Sequence, residues 1–269
     1  MYPKPKKYLG QNFLIDKNIQ RKIIDFCAFK FSDTVLEIGA GRGELTRLIA
    51  SKVGMIYAIE IDRNLCNILE ENLKGYKNVR IINADILKFN FRSKRPLAAA
   101  PPLAGTSNGV KVIGNIPYYI TTPIIEHLLR YRNNIDTVFI TVQKEFAVRM
   151  KAEAGLKVYG ALSCFIQYYT EPKILFTIKK SCFFPAPKVD SCFMQLKIRE
   201  KPPVKPENER LFFKIIRSAF NKRRKTLRNS LKEIIPQGKL KRFFNKYSID
   251  ANIRPEGLTL KDFANLTNI

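Results

Sequence analysis

Asn115-Ile116-Pro117-Tyr118 places an amide, a turn stiffened by proline and an aromatic face within one tetrapeptide. The exocyclic amine of adenine is a poor nucleophile because its lone pair is delocalised into the ring. Two acceptors aimed at its N–H bonds would release that lone pair for attack: the Asn115 side-chain oxygen and a backbone carbonyl of the Ile116-Pro117 turn. Tyr118 offers a face on which an extruded base can stack, as it must if the target atom is to be reached. Attack on a sulfonium methyl donor then needs in-line positioning rather than a strong base, since the proton can leave after transfer. Phe183-Phe184-Pro185-Ala186-Pro187-Lys188-Val189 is a proline-spaced aromatic loop, and Phe183 is a candidate second stacking face.

A second group of residues could hold a nucleoside cofactor. Glu37-Ile-Gly39-Ala-Gly41-Arg-Gly43 follows a strand pattern and opens a helical one, so Gly39 and Gly41 allow a tight turn and close approach of a ligand to backbone N–H groups. Such turns serve NAD, FAD and S-adenosylmethionine alike. Glu60 stands 19 residues beyond Gly41 at the end of the next strand, where a carboxylate can accept from ribose hydroxyls. Asp85, at the end of a third strand, adds an acceptor for an adenine amino group. His127, the only histidine, has no metal-type spacing and reads as structural.

Elements that could position these groups are legible in the apolar pattern. Strand-like runs at 34–38, 55–59, 79–83 and 111–114 alternate with helical patterns at 44–53 and 62–73, after an opening helix capped by Asp16. Helical patterns at 122–131 and 160–169 and strand patterns at 137–142 and 192–198 complete the set. Such alternation predicts an α/β fold with a parallel sheet and a ligand site at the carboxyl ends of the strands, where every motif above falls. Residues 199–207 hold three prolines among alternating charges, which predicts a boundary between a catalytic domain at 1–200 and a second domain at 201–269. That second domain carries 17 Lys and Arg against 6 Asp and Glu, with apolar positions at helical spacing, and reads as a small basic helical domain. Within it Lys222, Arg223, Arg224, Lys225 and Arg228 fall in one helical pattern, with Arg224 and Arg228 sharing a face suited to an RNA backbone. Arg92 to Gly109, rich in Ala, Pro, Gly and Ser, reads as a surface loop.

The chain as a whole holds 48 Lys and Arg against 23 Asp and Glu, a formal net charge of +25, which favours a polyanionic partner. No run of 18 apolar residues is present and Met1 to Lys7 has no apolar h-region, so neither a membrane span nor a signal peptide is expected, and the cytoplasm is the expected location. Five cysteines without a CxxC pair argue against a disulfide framework and against a metal site.

Together the motifs resemble the KsgA family of small-subunit ribosomal RNA adenine dimethyltransferases over nearly the whole chain. They are Gly10-Gln-Asn-Phe-Leu14, the Glu37 to Gly43 loop, Glu60, Asp85, Gly114 to Tyr118, Gln143-Lys-Glu145, Phe183 to Val189, and Asn221 to Leu231. The resemblance implies a Rossmann-like class I methyltransferase sheet domain with S-adenosylmethionine as cofactor. It implies that Asn12, Leu14, Gly39, Glu60, Asp85 and Asn115 line the cofactor site, with Asn115, Tyr118 and Phe183 handling the base. The implied substrate is a pair of adjacent adenosines in the hairpin loop near the 3′ end of small-subunit rRNA. Each would be dimethylated within an immature 30S-type subunit, and the enzyme is expected to be a monomer. The sequence departs from the family in the long Arg92 to Gly109 loop and in Tyr119, where relatives often have Asn. An Erm-type enzyme of large-subunit rRNA shares the Asn-x-Pro-Tyr motif, but Tyr159-Gly160-Ala-Leu162 and the basic Asn221 to Leu231 segment favour the first family.

Overall fold

The computed structural model describes residues 5–91, 109–222 and 225–269, so the expected loop before Gly109 and both Arg223 and Arg224 lie outside the described residues. In chain order the main elements are β1 (Phe13–Leu14), α1 (Lys17–Cys27), β2 (Thr34–Ile38), α2 (Glu44–Ala50), β3 (Met55–Glu60), α3 (Arg63–Asn72), β4 (Val79–Asn83) and β5 (Val110–Asn115). They continue with α4 (Thr121–Arg130), β6 (Ile135–Gln143), α5 (Lys144–Lys151), α6 (Ala161–Tyr169), β7 (Thr170–Ile178), β8 (Phe183–Phe184) and β9 (Ser191–Ile198). The last helices are α7 (Glu209–Asn221), α8 (Leu227–Leu231), α9 (Gln237–Tyr247) and α10 (Leu260–Thr267).

Seven strands form one sheet in the order β4-β3-β2-β5-β6-β9-β7. The first five run parallel, and β9 pairs antiparallel to β6. Chain order reverses between β2 and β5, so the carboxyl ends of these two neighbours open a crevice at the switch point of the sheet. β2 and β3 are buried along nearly their whole length, as strands covered on both faces must be, and their β-branched and apolar residues suit that position. Helices α1, α2 and α3 turn Ile23, Ile24, Ile49 and Leu69 into the core formed with Val35, Ile56, Ile113 and Phe139. Asp16 and Asp62 fix the starts of α1 and α3 by accepting from backbone N–H groups of the first turn. Strand β7 is absent from the sequence expectation because Pro172 and Lys173 break its apolar pattern; it is the edge strand, where proline costs no ladder bond.

The chain divides into two compact units, one comprising residues up to Lys144 with Lys173–Ile198, the other Glu145–Pro172 with Arg199–Ile269. The second is discontinuous in sequence, which replaces the expected single cut at 200. Its cohesion explains the difference. The hydroxyls of Tyr168 and Tyr169 at the end of α6 donate to the Glu209 carboxylate, and their rings pack on Phe212 and Phe213 of α7. The expected single helix through Lys222 to Arg228 is also corrected. α7 stops at Asn221, and Thr226 caps a separate helix, α8.

Gly114 is tightly enclosed: a Cβ would lie 3.1 Å from both the Cβ and the carbonyl oxygen of Ile38 on the paired strand β2. Gly114→Ala should therefore push β5 away from β2 and lower unfolding free energy by about 1–3 kcal/mol. An unchanged urea midpoint would contradict this reading.

Candidate functional site

One cleft of about 700 Å³, open mouth included, lies at the switch point. Its lining includes Asn12, Gly39, Gly41, Glu60, Asp85, Asn115 and Pro117, which the structure thus brings together from five separate stretches of chain. Leu14, Tyr118 and Phe183 are not among the lining residues.

The carboxyl ends of the strands deliver the polar groups. Glu60 closes β3 with its carboxylate buried, Oε2 accepting from Gly41 N–H at 2.9 Å and Oε1 from Asp62 N–H at 2.9 Å. Burial raises its pKa, opposed by these backbone donors. Each oxygen keeps a second lone pair for a ribose hydroxyl. Asp85 follows β4, and its Oδ1 accepts from Leu87 N–H at 2.9 Å, the one local bond to this carboxylate among the described residues. Gly39 and Gly41 both adopt positive φ, and a Cβ on Gly39 would meet nothing closer than the Asn115 carbonyl oxygen at 4.0 Å. It would project into open space in the cleft, so the glycine keeps that space clear for a ligand. Apolar Ile61 and Ile86, each directly after a strand-end carboxylate, complete the lining beside Glu60 and Asp85. Acceptors for ribose and adenine between aliphatic side chains form a donor-poor, acceptor-rich site that fits S-adenosylmethionine.

Asn115 ends β5. Its side-chain amide nitrogen donates to the Asn12 carbonyl at 2.7 Å, an arrangement that turns Oδ1 away as a remaining acceptor. In the adjoining turn the Pro117 carbonyl is already engaged by Ile120 N–H and the Thr121 hydroxyl. The Ile116 carbonyl has no such donor among the described residues, which singles it out as the second acceptor expected from the sequence. Tyr118 is half-buried, with its hydroxyl 2.6 Å from Ser191 Oγ on β9. Burial raises its pKa, and the Ser191 contact opposes the shift. His127 bonds the Phe89 carbonyl at 2.8 Å within a cluster including Phe91 and Tyr131, a structural position.

Leu14 and Phe183 require correction. β1 and β8 pair antiparallel, with Phe13 opposite Phe184 and Leu14 opposite Phe183. Side chains alternate between faces, so Leu14 and Phe183 turn together into the core cluster, at 7% and 3% exposure, instead of facing a ligand. The other face sends Phe13 into the cleft against Gly41 and leaves Phe184 partly exposed. Sequence reasoning also missed Leu9, Gln11, Ile61, Ile86, Ile120 and Ile124 in the lining. The signal that could have found Ile61 and Ile86 is their position immediately after a strand-end carboxylate. Lys222, Lys225 and Arg228 are exposed, with Lys222 paired to Glu233 and Arg228 Nε donating to Gln237.

Residues 3–269 match the ribosomal RNA adenine dimethylase family. The chain is 44% identical to ribosomal RNA small subunit methyltransferase A of Alkaliphilus metalliredigens, covering 97% of this chain and 90% of that protein. It is 42% identical to the protein of the same name from Geobacillus sp. strain WCH70, covering 98% and 90%. Among solved structures it is similar to a dimethyladenosine transferase from Plasmodium falciparum, with TM-score 0.75, 25% identity and coverage of 94% and 95%. It is also similar in fold to the 23S rRNA methyltransferase ErmE, with TM-score 0.72, 24% identity and coverage of 95% and 98%. The sheet unit has the Rossmann-like class I methyltransferase fold.

Glu37, at the end of β2 beneath the glycine turn, is fully buried, and burial pushes its carboxyl up to about 8 although the Thr46 hydroxyl donates to it at 2.6 Å. The folded chain holds this proton to about 8 whereas the unfolded chain releases it near 4.5. Its contribution to stability is complete below the lower value and lost as pH rises through the upper one; Glu60, also raised, adds in the same direction. Glu37→Gln should flatten this part of the stability profile, which in the parent falls by on the order of a few kcal/mol. Urea midpoints across the interval would show it, and parallel profiles for parent and variant would contradict it.

Proposed function

Given that the chain belongs to the ribosomal RNA adenine dimethylase family, we propose that it methylates N6 of two adjacent adenosines in the 3′-terminal hairpin loop of small-subunit rRNA. The protein is an S-adenosylmethionine-dependent rRNA adenine dimethyltransferase, and its substrate is rRNA. The observation that carries the site assignment is the Asn115 amide, fixed by the Asn12 carbonyl so that its oxygen remains to accept.

When bound, S-adenosylmethionine supplies a methyl group activated by a positively charged sulfur. Glu60 and Asp85 would hold its ribose and adenine, with Asn12, Gly39 and Gly41 shaping the remaining wall. Asn115 Oδ1 and the Ile116 carbonyl accept the two N6 hydrogens and expose the lone pair; Pro117 keeps the turn rigid. Tyr118, its hydroxyl tethered to Ser191, presents its ring to the base. One N6 proton leaves to solvent for each methyl gained, so no side chain need act as a strong base. Phe183 supports this arrangement from the core.

Lys222, Lys225 and Arg228, with Arg223 and Arg224 between them in sequence, supply positive charge for the RNA backbone. The Lys222–Glu233 ion pair is exposed and weak, so exchanging Glu233 for phosphate costs little. The enzyme acts in the cytoplasm as a monomer on an immature 30S-type particle, as a step of small-subunit biogenesis. Among the described residues no helix is long and apolar enough to cross a membrane.

Incubation of labelled S-adenosylmethionine with undermethylated small subunits and, separately, with large subunits should give dimethyladenosine in the small-subunit RNA. Asn115→Ala should reduce transfer by at least about 100-fold. Label appearing only in large-subunit RNA would overturn the substrate assignment. RNA affinity should also fall steeply between low and moderate salt, and Arg228→Ala should make that dependence shallower. A salt-independent binding constant would remove the proposed role of the basic segment.

A further inference from the structure

Residues 6–14 cross the cofactor cleft as a strap, contributing Leu9, Gly10, Gln11, Asn12 and Phe13 to its lining. Four contacts fasten it along its length. At the centre Gly10, with φ of +62°, lies so close to Tyr119 that a Cβ would be 2.9 Å from the ring. Further on, the Asn12 carbonyl receives the Asn115 amide, and β1 pairs with β8. The fourth fastening, at the start of the strap, rests on Lys6 and Asp62, which the cleft lining does not include. Lys6 Nζ donates to Asp62 Oδ1 at 2.7 Å, Gln11 Nε2 donates to Asp62 Oδ2 at 3.3 Å, and Gln11 Oε1 accepts from Lys6 N–H at 2.8 Å.

The Asp62 side chain is only 5% exposed, and Lys6 is its ion-pair partner. A buried carboxylate needs such partners, so Asp62 favours the strap in its closed position. Asp62 is also built into the cofactor site. Its backbone N–H donates to Glu60 Oε1, and its carboxylate caps α3 by accepting from Asn64 N–H. The strap therefore runs from the residue that orients Glu60 to the carbonyl that orients Asn115.

We propose that Lys6 and Gln11 form a latch on Asp62 that holds the strap across the cleft, slowing cofactor exchange and keeping Asn115 in register with the base. Lys6 is a positioning residue: it touches Asp62 and Gln11 and acts through Gln11–Asn12 on Asn115, whereas Gln11 also lines the cleft. The latch rests on the reading of the cleft as an S-adenosylmethionine site.

The test measures S-adenosylhomocysteine binding and release by the full-length protein, without RNA, by calorimetry and stopped-flow fluorescence of a displaced analogue. Lys6→Ala and Gln11→Ala should each release S-adenosylhomocysteine roughly tenfold faster, the size expected for one charge-assisted contact. In methyl transfer they should lower kcat with little change in KM for RNA. Lys6→Arg should restore both. Asp62→Asn keeps the helix cap but removes the charge, so adding Lys6→Ala to it should have almost no further effect. Release rates unchanged in the single variants, or fully additive effects in the double variant, would overturn the latch. Failure of the parent itself to bind S-adenosylhomocysteine would instead overturn the reading of the cleft on which it rests.

Discussion

The approach of β5 to β2 at the switch point is the constraint on which the rest of the site depends. Gly114 lets the two strands approach more closely than a side chain comfortably allows, since a Cβ there would lie 3.1 Å from Ile38. Because the strands are in register there, the glycine turn that follows β2 and the Asn115 turn that follows β5 emerge side by side. A cofactor-binding turn and a base-binding turn thus share one rim without any long-range tether between them. The chemistry needs the methyl donor and acceptor nitrogen within a few ångströms, and the pairing of Ile38 with Gly114 supplies that proximity through the backbone.

Around this rim the polar groups are satisfied before any ligand arrives. Both Glu60 oxygens accept backbone N–H bonds, Asp85 caps its own turn, and Asn115 gives an amide hydrogen to the strap. These contacts fix orientation at small cost because the carboxylates and the amide retain unused lone pairs. Preorganisation of this kind is what an electrostatic mechanism requires, since groups that must reorient during the reaction lose much of their effect.

The parts of the site legible in the sequence are those whose position follows from local chain direction. Glu60, Asp85 and Asn115 end strands whose apolar runs are unmistakable, and in a parallel sheet strand ends meet at one edge. Leu14 and Phe183 were harder because their facing depends on pairing between two-residue strands 170 positions apart, where no periodicity can be read. The break between α7 and α8 was hidden because Lys and Arg suit both a helix and a turn, and only the Thr226 cap marks the restart. The grouping of residues 145–172 with the C-terminal helices depends on aromatic packing and the shared Glu209 partner, interactions between residues about forty positions apart.

The β1–β8 ribbon joins a residue near the start of the chain to one that follows more than two-thirds of it. During synthesis the first five strands of the parallel sheet and the glycine turn emerge well before Phe183 does. The N-terminal strap is therefore made first and fastened at this end last. Until β8 leaves the ribosome, Leu14 has no partner strand and its apolar side chain stays uncovered. Pairing of β1 with β8 is thus possible only after the five parallel strands of the sheet have been made, and already before β9 has followed them.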